Sequence, residues 1–232
     1  MRDERRLIGA ANGVLTLSQK DADLMQTLYA PRVVNWVNPP LDFQIPIEPP
    51  SVNQPARILF VGAFDRTENA HAAHWLLDNV WPLVRQVFPD ARVVLAGSSP
   101  DVRLQKRGEA DSSVEITGYL DSLDGEYRRA SVIVVPLHQG AGVKFKTIHA
   151  LLAGRPVVST RIGIEGILDP DSPLLWAIAD DAESFAHGII SALGRPDDAA
   201  RVATEAKAWA GKMYSDRNFQ ADISKIYSGY HR

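Results

Sequence analysis

Between residues 138 and 160 the chain reads HQGAGVKFKTIHALLAGRPVVST, which sets two glycines and two lysines at the mouth of a helix. The helix itself is legible: Ile148, Leu151 and Leu152 share one face, and Gly154 and Pro156 supply its stop. Gly140 and Gly142 let the backbone come close to a bound group. The first-turn amides have no intrahelical acceptors, and Lys144 and Lys146 add positive charge. That chemistry suits a phosphate. Cations in the first turn oppose the helix dipole, so the two lysines are slightly unfavourable there unless an anion is bound.

The elements that would position such a site follow from the hydrophobic pattern. Val- and Ile-rich runs, RILFVGAF, RVVLAGS, VEITGYL, SVIVVPL and RPVVST, alternate with amphipathic stretches, and this is the rhythm of repeated βαβ units. The runs are nearly continuous rather than alternating, as a parallel sheet covered by helices on both faces requires. The fold class expected is therefore α/β, a Rossmann-like sheet with C-terminal helices. Residues 69–88 form the first crossover helix, which Pro82 should kink or break. The tail reads as helical over about 181–192 and 197–227, with Asp216 capping the last helix. Pro46, Pro49, Pro50 and Pro55 mark residues 44–56 as an extended linker, which divides a short piece (1–43) from the main domain (57–232).

In open α/β sheets ligands bind beyond the carboxyl ends of the strands. Three glycine-bearing loops fall there: VGAFDRTEN with Gly62 and Arg66, GYLDS with Tyr119 and Leu120, and HQGAGVK with His138. A nucleotide is the ligand expected of their shared crevice.

Composition sets the outer limits. The 232 residues carry 25 Lys plus Arg against 28 Asp plus Glu, a formal charge of −3, so no general attraction to nucleic acid or anionic membrane is expected and an anion site must be local. There is no cysteine, hence no disulfide framework and no Cys-based zinc site. No run is long and apolar enough for a transmembrane segment, and the opening residues lack a signal-peptide core, so the default location is cytoplasmic. His71 and His74, three apart on a helix, have no carboxylate or Cys constellation around them; they read as a solvated face, and no metal is expected. Trp36, Trp75, Trp81, Trp176 and Trp209 read as core or interface anchors.

The ordered set FVGAFDRTEN, VVLAGS, ITGYLDSL, ASVIVVPL and GAGVKFKTIHALLAGRPVVSTRIGIEGI resembles the C-terminal, donor-binding half of GT-B glycosyltransferases, the group 1 (GT4-like) retaining enzymes. The resemblance spans about residues 56–228 and is most specific from Gly140 to Gly166. The front of the chain, ANGVLTLSQKDADLMQTL to RVVNWVNPP, resembles the last strand, helix and strand of the N-terminal half in such enzymes. The rest of that half, which in the family carries the acceptor and usually a catalytic histidine, is absent. A separate partner chain, a natural truncation and a piece of a larger protein all remain open.

The resemblance implies metal-free transfer of a sugar from a nucleotide diphosphate sugar, a substrate rather than a cofactor, to an acceptor hydroxyl. It assigns the diphosphate to Gly140, Gly142, Lys144 and Lys146, with Gly62, Arg66 and His138 as further contacts. Tyr119 and Leu120 would frame the base, Tyr119 either stacking or packing. Glu165 would meet the donor sugar or cap a turn. The two glutamates that family members carry eight positions apart fall here on Ala141 and His149. A histidine still offers a hydrogen bond to a ribose hydroxyl, but not the bidentate acceptance of a carboxylate. Two functions therefore stay open, a donor-binding transferase domain and a degenerate binding or scaffold module. A dehydrogenase is disfavoured because no G-x-G-x-x-G follows the first strand of the main domain. Apolar surface left by the missing half would favour a homodimer, and the family expectation for the pathway is assembly of a cell-surface polysaccharide.

Overall fold

The computed structural model describes residues 2–41, 43 and 54–230. The front of the chain is α1 (Arg2–Ala10), β1 (Val14–Thr16), α2 (Gln19–Tyr29) and β2 (Val34–Trp36), with β1 and β2 paired in parallel. Ser18 starts α2: its Oγ accepts from the Asp21 amide at 3.0 Å. Of the proline-rich segment, residues 44–53 lie outside the described residues.

The main body alternates as the sequence predicts: β3 (Arg57–Val61), α3 (Thr67–Trp75), α4 (Trp81–Val87), β4 (Arg92–Ala96), α5 (Val102–Ala110), β5 (Val114–Gly118), α6 (Asp124–Arg129), β6 (Val132–Val135), α7 (Phe145–Leu152), β7 (Val157–Ser159), β8 (Ala177–Ile178), α8 (Ala182–Gly194), α9 (Pro196–Met213) and α10 (Asp216–Tyr230). The six strands β3–β8 form one parallel sheet in the order β5-β4-β3-β6-β7-β8. The chain runs outward from β3 to β5, then returns to β3's other side as β6. That reversal creates a switch point between β3 and β6, where loops splay apart and leave a crevice. Right-handed crossovers send the helices after β3 and β6 to opposite faces, which is why both faces of the central strands are buried.

Two helix details depart from, or refine, the sequence pattern. The first crossover breaks at a π-turn, Leu76–Val80, where the Trp81 amide reaches back to the Leu76 carbonyl. Pro82 then follows at the start of α4, directly after the π-turn that breaks the regular α-helical ladder. At the tail, Ser215 rather than Asp216 caps the last helix: its Oγ accepts from the Asn218 amide at 3.1 Å, and Asp216 is already helical. Both residue types make good caps, and only the backbone turn at Tyr214 decides between them. The short edge strand β8 escapes prediction because two residues carry no periodicity.

At the amino ends of the strands Arg57 donates to Glu115 Oε2 at 3.0 Å and to Glu126 Oε2 at 2.9 Å, and Glu126 also pairs with Arg129. Trp81 is buried, with Nε1 donating to Ser113 Oγ at 3.1 Å, and Trp176 donates to Ser191 Oγ at 2.9 Å, so both anchor the core. His74 is not on a solvated face: half-buried, it meets the Asp101 carboxylate at 2.8 Å, while His71 is exposed beside Gln139. Among the described residues no group of three or more His, Asp or Glu side chains gathers to hold a metal ion, and no helix is long and apolar enough to cross a membrane.

Candidate functional site

The loop from β6 to α7 is shaped by its glycines. Gly140 and Gly142 have φ of 120° and 73°, conformations that a side chain strains, so the backbone can fold tightly ahead of the helix. Lys144 is the residue before the helix and brings no side-chain cap to it, so α7 opens with its first amides uncapped beneath that loop.

The two lysines do different things. Lys144 is 8% exposed and folds back: its Nζ donates to the Gly142 carbonyl at 2.6 Å and lies 3.5 Å from both the Gly140 carbonyl and Glu165 Oε2. It ties the loop together. Lys146 instead passes under the turn after β3. A methyl group at Gly62 would stand 3.2 Å from its Nζ, the Phe60 ring lies 4.9 Å away, and it donates to Asn69 Oδ1. Asn69 is buried and uses its Nδ2 to hold the Ala63 carbonyl at 2.8 Å, so it joins the loop after β3 to α7.

Burial depresses the Lys146 ammonium to a pKa of about 8; Glu68 opposes that shift, while Arg66 and Lys144 add to it. A cation held against a neutral amide and a ring is short of counter-charge, which an anion at the Gly62 and Gly140 loops would supply. The same end of the sheet is closed by Gly97, whose φ is 145° and at which a methyl group would come 2.0 Å from the Gly62 carbonyl oxygen.

The other predicted residues scatter around this centre. Arg66 precedes α3 with an exposed side chain 3.8 Å from Glu68. His138 turns the other way: its two ring nitrogens face the carbonyls of Pro136 and Asp180 at 3.2 and 3.0 Å, and its ring meets the Trp75 edge at 4.4 Å. Tyr119 follows β5 with 74% of its surface open, which favours a free ring over a packed one, and Leu120 beside it is half-buried. Ala141 is exposed. His149 has a packing partner, since its ring stacks on Phe43 at 4.8 Å with the planes 22° apart, and burial lowers its pKa. Glu165 accepts from Lys20 as well as facing Lys144. The Lys20 hydrogen bond holds its carboxyl below the usual range, with the charge of Lys144 adding to it.

Sequence reasoning missed Asn69, Lys20 and Phe43. Asn69 left one signal, an uncharged polar residue in the first turn of a crossover helix beside a glycine turn. Lys20 and Phe43 left none, because their partners lie far away in sequence.

A parallel sheet with a switch-point crevice and glycine turns at the carboxyl ends of its strands defines a doubly wound α/β protein. Residues 55–195 match the family described as glycosyl transferases group 1, and the chain belongs to that family. A curated relative, an uncharacterized 44.6 kDa protein in the cps region of Klebsiella pneumoniae, is 29% identical over 175 residues, which cover 72% of this chain and 45% of that protein. The chain thus spans less than half the length of that relative. Among solved structures, Alr3699/HepE of Anabaena in complex with UDP superposes with a TM-score of 0.78 at 14% identity, over 98% of this chain and 67% of that one. Sucrose-phosphate synthase of Thermosynechococcus elongatus gives 0.73 at 17% identity, over 98% and 60%. These likenesses establish the fold, that of a GT-B glycosyltransferase's C-terminal Rossmann-like half.

Proposed function

We propose that this chain is the donor-binding part of a metal-independent, retaining GT4-like glycosyltransferase that moves a sugar from a nucleotide diphosphate sugar to an acceptor hydroxyl. The observation that carries the reading is the half-buried, under-compensated Lys146 ammonium beneath Gly62, held by Asn69 and next to the uncapped start of α7. As the bond to the sugar breaks, charge develops on the leaving diphosphate; Lys146 and the first amides of α7 stabilise it there, in place of a divalent ion. Lys144 holds the Gly140–Gly142 loop in shape for that contact, and Arg66 stands at its rim. Tyr119 offers an open ring to the base.

The neighbour bound to UDP and the relative from a cps region support a nucleotide-sugar donor and a role in polysaccharide assembly. The chain has no cysteine, which is compatible with the cytoplasm, where this reading places the reaction. Acceptor binding and the catalytic base would come from further N-terminal structure. Leu7, Leu15, Leu17, Leu24, Leu28 and Val33 are exposed on the front of the chain and mark the face where such structure, or a second copy, would sit. A second reading, a degenerate nucleotide-binding module without transfer, is favoured by His149, whose ring is occupied by Phe43 where the family keeps a carboxylate.

Isothermal titration of the chain with UDP, GDP and their sugar conjugates tests both. Saturable binding to one base that is weakened in Lys146→Ala supports the donor site. Absence of binding to all of them at millimolar ligand rejects it.

A further inference from the structure

A cleft of about 970 Å³ opens between the front of the chain and the loop that follows β7, away from the nucleotide loops. Asn38, just beyond β2, lines it. The side chain is 7% exposed, and among the described residues its amide has no hydrogen-bond partner. Its amide opens on the cleft and is free both to donate to and to accept from whatever enters it. The walls show which ligand fits. Trp36, 38% exposed, and Trp209 offer aromatic faces, and Asp169 and Asp171 offer carboxylates that accept only.

From this we infer that the cleft is a binding site for a neutral saccharide. A sugar ring presents C–H faces that pack on indole and hydroxyls that donate to carboxylates, while an amide can both donate to and accept from adjacent hydroxyls. An acidic sugar is disfavoured. Lys20, the one cation among the described residues of the wall, is already paired with Glu165, which leaves Asp169 and Asp171 uncompensated. The same pair gives the cleft its place: Glu165 also faces Lys144 of the donor loop, so a saccharide in the cleft lies one ion-pair chain from the diphosphate site. Saccharide binding as such does not rest on the donor reading above.

The test is a titration, followed by NMR of the indole N–H signals, with maltotriose, lactose and mannobiose, and with a glucuronic-acid disaccharide as the charged control. At least one neutral sugar is expected to move the Trp36 and Trp209 signals and leave Trp75, Trp81 and Trp176 in place. Asn38→Leu and Trp36→Ala are each expected to weaken binding about tenfold, the loss of one good polar or aromatic contact, with UDP binding unchanged. Trp36 is partly exposed, so its variant does not depend on the core, and the three unmoved indoles report that each variant is folded. The inference is overturned if no neutral sugar moves those two signals, if both variants bind undiminished, or if the acidic sugar binds as well as the neutral ones. UDP binding without sugar binding sinks this site alone; sugar binding without UDP binding sinks the donor reading and leaves the site standing.

Discussion

The two ends of the main sheet handle charge in opposite ways. At the amino ends of the strands the largely buried Arg57 is matched: it lies between Glu115 and Glu126, and Glu126 takes Arg129 as well. At the carboxyl ends Lys146 lies half-buried against an amide and an aromatic ring, with Glu68 acting on it only at a distance. One end pairs its arginine without a ligand. The other holds a desolvated lysine with no carboxylate in contact, and on the donor reading proposed above an anion completes it.

The largest expected effect tests whether the ligand end is purely functional. Gly97→Ala would push a methyl group into the Gly62 carbonyl at a φ that alanine rarely adopts, so urea denaturation should show a loss of at least ~4 kcal/mol. An unchanged midpoint would mean that the close approach of β3 and β4 relaxes easily. Next, Arg57→Met strands the buried Glu126 with a single partner, and should cost ~3 kcal/mol while leaving nucleotide affinity where it was. If nucleotide binding falls in parallel, the two ends are not separable.

The smallest effect on stability is the sharpest on mechanism. Lys146 titrates near 8 in the folded chain and near 10.5 when unfolded. Below about pH 8 both states are charged and the folded state bears the full desolvation penalty. Between 8 and 10.5 the unfolded chain binds more protons, so the penalty is relieved and stability rises with pH. Lys146→Met should therefore raise stability at pH 7 by about 1–2 kcal/mol, the ~1.4 kcal/mol per pKa unit being partly offset by the partner lost to Asn69. It should also flatten that alkaline rise. Diphosphate binding should run the other way: affinity in the parent chain should decline as pH climbs through 8, and in Lys146→Met it should be weak and flat. Titrations at pH 7 and pH 9 check both, and a parent affinity indifferent to pH would remove Lys146 from the site.

The sheet was largely readable beforehand. Its five long strands are apolar runs that can only be buried on both faces, and the glycines at 140, 142 and 154 sit where positive φ is needed. What escaped was short or non-local: β8, the choice of Ser215 over Asp216, and the contacts of His74 and Phe43. Lys144 and Lys146 illustrate the boundary. Sequence places both at the helix mouth and favours Lys146, and their roles diverge because one stem turns back on its own loop and the other passes beneath β3's turn.

Amino-acid order by itself thus determined the α/β class, the succession of strands and helices, and the glycine-shaped loop ahead of α7, since periodicity and glycine placement are local properties. Tertiary structure alone decided which lysine is held by its own loop and which lies against Asn69 and Phe60, that His149 is stacked on Phe43, and that Asn38 opens on a cleft without a hydrogen-bond partner among the described residues. Each of these depends on what distant segments bring within a few ångströms, and burial and partnership are properties of the packed chain rather than of any stretch of it.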